Sequence, residues 1–208
     1  MQTLDIGMGD YRAAPSEHIC ALYSASAERD ALLGSYVRNA LRSRHKCVCI
    51  LDSAEEAQMM QVVTNVGNDD EIDVPACSAS GQLELVGASE TTVPRGRLAN
   101  KIGFWKGAIA GAMNAGKYEC VRAIGEMSSS VQDTPGAREV LDFESELNEL
   151  LPLYPQIVVC MYDLNKVGGA FVVDVVSMHR KVFIRGTVVD NPYYLSPTEW
   201  LTTTGEQP

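Results

Sequence analysis

No part of the chain is free of charge long enough to cross a bilayer: stretches such as Ala108 to Gly116 fall far short of the roughly 18–20 apolar residues a membrane helix needs. The opening residues, Met1-Gln-Thr-Leu-Asp5, have neither the basic nor the apolar region of a secretory signal, so a cytoplasmic location is expected. Positive charge is scarce. Seventeen Lys+Arg against 27 Asp+Glu give a formal charge of -10, a field that repels phosphate backbones and anionic lipid, so direct binding to nucleic acid or membrane is not expected. Zinc-site spacing is missing as well: Cys20, Cys47, Cys49, Cys77, Cys120 and Cys160 form no CxxC pair and read as reduced, buried small hydrophobes. No metal and no cofactor are expected on that basis. Aromatic residues make up only 7% and are not interleaved along the apparent strands, unlike the stacking platforms of RNA-binding sheets.

A phosphate loop is absent too. Gly111-Ala-Met-Asn-Ala-Gly116-Lys117 fits G-x-x-x-x-G-K, but Tyr118 follows where a small hydroxyl is required. The string also leaves a helix and enters a strand, the reverse of the arrangement that turns backbone N–H groups toward phosphate. It reads as a helix stop at Gly116.

What is present is an ordinary globular composition, 46% hydrophobic and 21% charged, over a length that suits one large domain. Residues 1–15 and 202–208 read as tails around a folded unit of about residues 16–201. His18-Ile-Cys-Ala-Leu-Tyr23 is a short apolar run, followed by a serine cap within Ser24-Ala-Ser26 and a helix with apolar Leu32, Leu33, Tyr36, Val37, Ala40 and Leu41. Cys47-Val-Cys-Ile-Leu51 is continuously apolar, as in a strand buried on both faces; Cys47 and Cys49 share one of them. Ser53 and Glu56 form a capping box for a helix with Met59, Val62, Val63 and Val66 inward and Gly67 at its end. The pattern repeats: strand 82–86, helix 97–114, strand 118–125, a helix from Thr134-Pro135 to about Leu151, and strand 156–162. An apolar segment, Ala170 to Met178, and a β-rich end, Lys181 to Val189, follow. This alternation predicts an α/β fold with a mostly parallel central sheet and helices on both faces.

Ligands in such folds bind beyond the C-terminal strand ends, here Tyr23-Ser24, Asp52-Ser53, Glu126-Met127 and Tyr162-Asp163. Glu126 ends an apolar strand, where a carboxylate can act as a base or hold magnesium. Glu144 lies on the apolar stripe of Val140, Leu147 and Leu151, so it needs a buried partner, for which Arg122 is the candidate. His18 and His179 flank apolar segments and read first as structural histidines, and nothing local supports a pairing of Cys20 or Cys160 with either. Gly103, Gly107 and Gly111 recur every four residues, a small-residue groove that fits internal packing better than a dimer seam.

The ordered string His18-Ile-Cys20 with Tyr23, Gly81-Gln82-Leu83, Arg122-Ala-Ile-Gly-Glu-Met127, Phe143-Glu144, Cys160-Met-Tyr-Asp163, Met178-His179 and Asn191-Pro-Tyr-Tyr194 with Pro197 resembles the MEDS domain. That family is named for methanogen and methylotroph sensory domains such as that of the dichloromethane-responsive regulator DcmR. The resemblance spans about residues 16–201 and implies a sensory relative of RecA/KaiC-like ATPases. Where such an ATPase carries its phosphate loop, this chain has Tyr23-Ser-Ala-Ser-Ala-Glu-Arg-Asp30, with no glycine and no Gly-Lys-Ser/Thr, so no hydrolysis is expected. The family pattern often places an aromatic after Gly-Glu-Met, whereas Met127 is followed here by Ser128-Ser-Ser130, which enlarges or hydrates a pocket. No helix-turn-helix or kinase segment fits in either tail, so output through a signalling or transcription-regulatory partner is expected.

Together these readings describe a stand-alone sensory domain. Its pocket for a small organic ligand draws on His18, Cys20, Tyr23, Glu126, Glu144, Tyr162 and Asp163. Two alternatives stand beside it. One is a residual ATPase with Glu126 as base and Asp163 on magnesium; the other is an empty dimeric scaffold joined through the glycine-striped helix.

Overall fold

In the computed structural model, residues 3–51, 61–64, 72–87, 99–114, 116–131 and 134–204 are described. The chain opens with a small antiparallel pair, β1 (Leu4–Asp5) and β2 (Arg12–Ala13). The main sheet then begins with β3 (Glu17–Tyr23), followed by α1 (Ser26–Arg42), β4 (Lys46–Leu51), α2 (Val74–Ala79), β5 (Leu83–Gly87) and α3 (Ala99–Asn114). Next come β6 (Val121–Glu126), α4 (Thr134–Leu150), β7 (Gln156–Asp163), α5 (Gly169–Ser177), the hairpin β8 (Lys181–Ile184) with β9 (Thr187–Asp190), and α6 (Pro197–Thr204). Across the seven-stranded sheet the order is β5-β4-β6-β7-β3-β8-β9, and only the β8–β9 pairing is antiparallel. The mostly parallel α/β architecture expected from the alternating pattern is therefore present.

Period-two alternation in strands buried on both faces builds two cores. Cys20, Leu22, Val158, Cys160 and Tyr162 point to the face covered by Trp105 and Ile109 of α3, Val140 and Leu147 of α4, Phe171 and Val175 of α5, and Trp200 of α6. Ile19, Ala21, Tyr23, Val159 and Met161 point to the opposite face, beneath Leu32, Leu33, Tyr36, Val37 and Ala40 of α1. Cys47 and Cys49 share this second face, as their spacing implies. Residues 61–64 are helical, with Val63 buried there; the capping box at Ser53 and Glu56, together with Asp52, Met59, Val66 and Gly67, lies outside the described residues.

Several expectations need correction. Residues 3–15 are no tail: Ile6, Met8 and Ala13 are buried against α1 and β3, and Gly7 touches α1 so closely that a Cβ would lie 2.5 Å from the Ser35 carbonyl oxygen. The backbone at Gly7 is also left-handed, at φ 73°, so this contact requires glycine. At the other end α6 extends to Thr204. The start of α1 uses no serine cap. Its N-cap is Ala25, and Glu28 reaches back to accept from the backbone N–H groups of Ser24 and Ala25. The glycines of α3 do not pack internally: Gly103, Gly107 and Gly111 are exposed, and an added Cβ at each meets nothing within 4 Å. Gly116 does stop that helix in the left-handed conformation, at φ 60°. Among the described residues no helix is long and apolar enough to cross a membrane.

Arg122 is not the partner of Glu144, because its position on β6 turns it to the opposite face. There the fully buried guanidinium donates to Asn39 Oδ1 at 2.6 Å, the Asp5 carbonyl at 2.8 Å and His45 Nδ1 at 3.0 Å. Burial, and then the adjacent guanidinium, hold His45 in its neutral form and lower its pKa to about 4. A proton that the unfolded chain accepts near pH 6.5 is thus refused by the folded chain until about pH 4, so stability falls as pH drops through this window. Chemical denaturation should show roughly 1–2 kcal/mol lost from this group between pH 7 and pH 5. His45→Gln, which keeps an acceptor for Arg122, should flatten that part of the profile; an unchanged pH dependence would refute the assignment.

Candidate functional site

Strand parity divides the seven predicted site residues between the two faces. Tyr23, Glu126 and Asp163 gather at the C-terminal edge of the sheet. His18, Cys20, Glu144 and Tyr162 lie deep in the opposite core, so one pocket does not contain all seven.

At the edge, Tyr23 Oη donates to Glu126 Oε1 at 3.2 Å and Arg29 Nη1 donates to the same oxygen at 3.4 Å. Arg29 is also paired with Asp30 through two nitrogens, at 2.6 and 2.8 Å. Burial, and then the charges of Glu126 and Asp163, push the Tyr23 phenol far above its ordinary range, so it serves as a donor and not as a base. Asp163 is committed to a turn: its Oδ1 accepts from the Asn165 backbone and side chain, while its own backbone N–H donates to Ser128 Oγ at 2.7 Å. Ser128, in the segment expected to enlarge a pocket, is thus a buried structural contact.

Beside Tyr23, on the face that carries α1, opens a cleft of about 540 Å³. Leu22, Tyr23, Leu32 and Phe183 line it together with the Gly7–Gly9 turn, Ser35, and the β8–β9 turn at Arg185-Gly186. Its size falls within the usual range for small-molecule sites, and its walls are largely apolar with a few polar groups. Glu28 and Arg185 are the charged residues of the lining. Of the seven predicted residues only Tyr23 lines this cleft, and Glu126 stands behind it through the phenol. The chain reading missed the two turns because the first lay in an apparent tail.

In the other core, Glu144 Oε2 lies 3.0 Å from His18 Nε2 and 3.5 Å from His179 Nε2. Tyr162 Oη donates to the second oxygen, Oε1. Cys160 Sγ lies 3.3 Å from His18 Nε2, and the two histidine Nε2 atoms are 3.0 Å apart. Burial works to raise the Glu144 carboxyl, but the two histidines outweigh it and bring its pKa to about 2. Burial, and then His18, lower His179 to about 3. Cys20, register partner of Cys160, has a thiol pushed well above its ordinary value by burial and by Glu144. His179, read from sequence as structural, is therefore a member of this group; it lies 161 residues from His18, so no local pattern could have joined them.

This α/β domain, with β3, the first strand of the main sheet, lying between β7 and β8, has the fold of RecA-like proteins. It is similar to the crystal structure of the flagellar accessory protein FlaH from Methanocaldococcus jannaschii, with a TM-score of 0.55 at 10% identity, over 89% of this chain and 83% of that one. No curated protein matches the sequence. The profile of MEDS, the methanogen/methylotroph, DcmR sensory domain, matches residues 17–180. The chain belongs to the MEDS family, and its role is sensory or regulatory.

The Tyr162 hydrogen bond supports a fully buried carboxylate, and such bonds to charged groups contribute about 1.5–3 kcal/mol. Tyr162→Phe should lower unfolding free energy by about that amount in denaturant titration. A loss below about 0.5 kcal/mol would mean that Glu144 is satisfied without the phenol.

Proposed function

We propose that this domain senses a small, largely apolar organic molecule that enters the cleft beside Tyr23, and that it signals occupancy through a regulatory protein partner without hydrolysing ATP. The observation that carries the reading is the cleft itself, placed beyond the C-terminal end of β3, where α/β folds of this kind bind ligands. Leu22, Leu32 and Phe183 offer apolar contact, whereas the Tyr23 phenol and Ser35 offer fixed polar groups.

The junction of β3 and α1 supports the non-hydrolytic part. It is the first strand-to-helix turn of the sheet, the place where a RecA-like ATPase would seat phosphate on backbone N–H groups. Here the amides of Ser24 and Ala25 already donate to Glu28 Oε2, at 2.9 and 3.2 Å. A carboxylate thus occupies the anion position and repels a second anion. The net charge of -10 supports a protein partner over nucleic acid as the recipient of the signal.

Native mass spectrometry of freshly purified chain, compared with its denatured mass, tests this reading. A stoichiometric small mass that is lost on denaturation is expected. Ala31→Trp, which places a large side chain in the cleft from the exposed surface of α1, should abolish it with the fold intact by circular dichroism. Retention of the same mass by that variant would move the site elsewhere.

A further inference from the structure

The buried group around Glu144 poses a problem of electron pairs. His179 Nδ1 lies 2.7 Å from the Val175 carbonyl, which can only accept, so in the neutral ring the proton sits on Nδ1 and Nε2 presents a lone pair. Asn148 Nδ2 donates to the Met178 carbonyl at 2.9 Å, which turns Asn148 Oδ1 toward His18 Nδ1 at 3.0 Å. His18 is held in the same tautomer. The two rings lie side by side, with centroids 3.9 Å and Nε2 atoms 3.0 Å apart, so two lone pairs are crowded together at one edge, and Glu144 Oε2 joins them with no hydrogen-bond donor of its own. His18, Glu144, Cys160 and His179 are all buried, and their four ligand atoms lie within 4.8 Å of one another. In a dry interior these atoms repel unless a positive charge sits among them.

We propose that His18, His179, Glu144 and Cys160 bind one divalent metal ion, zinc by the chemistry of the donor set. Two imidazole nitrogens, one carboxylate oxygen and one thiolate sulfur are tetrahedral zinc ligands, whereas magnesium and calcium take oxygen. With bonds of about 2.0–2.3 Å a tetrahedral site has edges of roughly 3.3–3.8 Å. The separations of 3.0, 3.0, 3.3 and 3.5 Å lie close to that, and the two rings, with centroids 3.9 Å apart, swing outward on binding to aim both lone pairs at one ion. On binding, the Cys160 thiol gives its proton to solvent, and thiolate and carboxylate together neutralise the dication. The outer partners are already built: Val175 on His179, Asn148 on His18 and Tyr162 on Glu144. The site lies on the face of the sheet opposite the cleft, so its failure leaves the sensory reading standing, and the reverse holds as well.

The test uses the full chain, stripped with chelator and refilled with zinc or cobalt alone. One zinc per chain is expected, and cobalt should give the intense visible spectrum of a four-coordinate ion with a thiolate-to-cobalt charge-transfer band. Cys160→Ser should remove that band, and His179→Gln should weaken zinc binding at least 100-fold. Asn148→Leu, which changes only an outer partner, should weaken it about 10–100-fold. The chain has three histidines, so nitrogen-15 histidine spectra of the unaltered chain decide the matter even where a variant fails to fold. Zinc should shift Nε2 of His18 and His179 and leave His45 unmoved. A folded chain that takes up neither metal, metal uptake indifferent to Cys160→Ser and His179→Gln, or a zinc response confined to His45 would each overturn the site. The first of these would leave a proton shared between the two rings as the occupant.

Discussion

A carboxylate with no access to water constrains this domain more than any other group. Glu144 projects from α4 into a core of Val, Leu and Phe side chains, where an unpartnered charge would cost several kcal/mol. Its surroundings come from four elements: His18 from β3, Tyr162 and Cys160 from β7, Asn148 from α4 itself, and His179 just after α5. The parallel β3–β7 pair is thereby tied to the two helices that cover it. A polar network of this kind selects one packing of helix on sheet, because displaced arrangements leave the charge unsatisfied.

The opposite face carries the complementary charge. Arg122 is equally buried, and its partners are a neutral histidine, an asparagine and a carbonyl from the N-terminal hairpin. One strand, β3, serves both faces. It turns His18 toward the Glu144 cluster and Tyr23 toward the cleft, while β8, two residues beyond His179, ends in the turn that lines that cleft. The buried cluster and the cleft are thus joined by one strand and one hairpin.

Much of the architecture was legible because its signals are local. Short, β-branched-rich apolar runs such as Cys47–Leu51 and Ile157–Tyr162, placed between helical patterns, read as strands buried on both faces, and the helix stop at Gly116 followed from its position after the apolar helix. The site was less legible. Parity along β3 already separates Tyr23 from His18 and Cys20, and period-two reasoning applied to the site residues would have split the single pocket. The meeting of His18 with His179, and the rejection of Arg122 by Glu144, depend on which helix covers which face. No spacing encodes that. The metal donors escaped for the same reason: their order along the chain, His18, Glu144, Cys160 and His179, has none of the close pairs by which zinc sites are usually read.

The most direct measurement is X-ray absorption at the zinc edge on the refilled full chain. One sulfur at about 2.3 Å and three nitrogen or oxygen neighbours at about 2.0–2.1 Å are expected, two of them with the outer-shell scattering of imidazole. A shell of nitrogen and oxygen alone, or one without imidazole, would contradict the assignment of Cys160, His18 and His179 to a single ion.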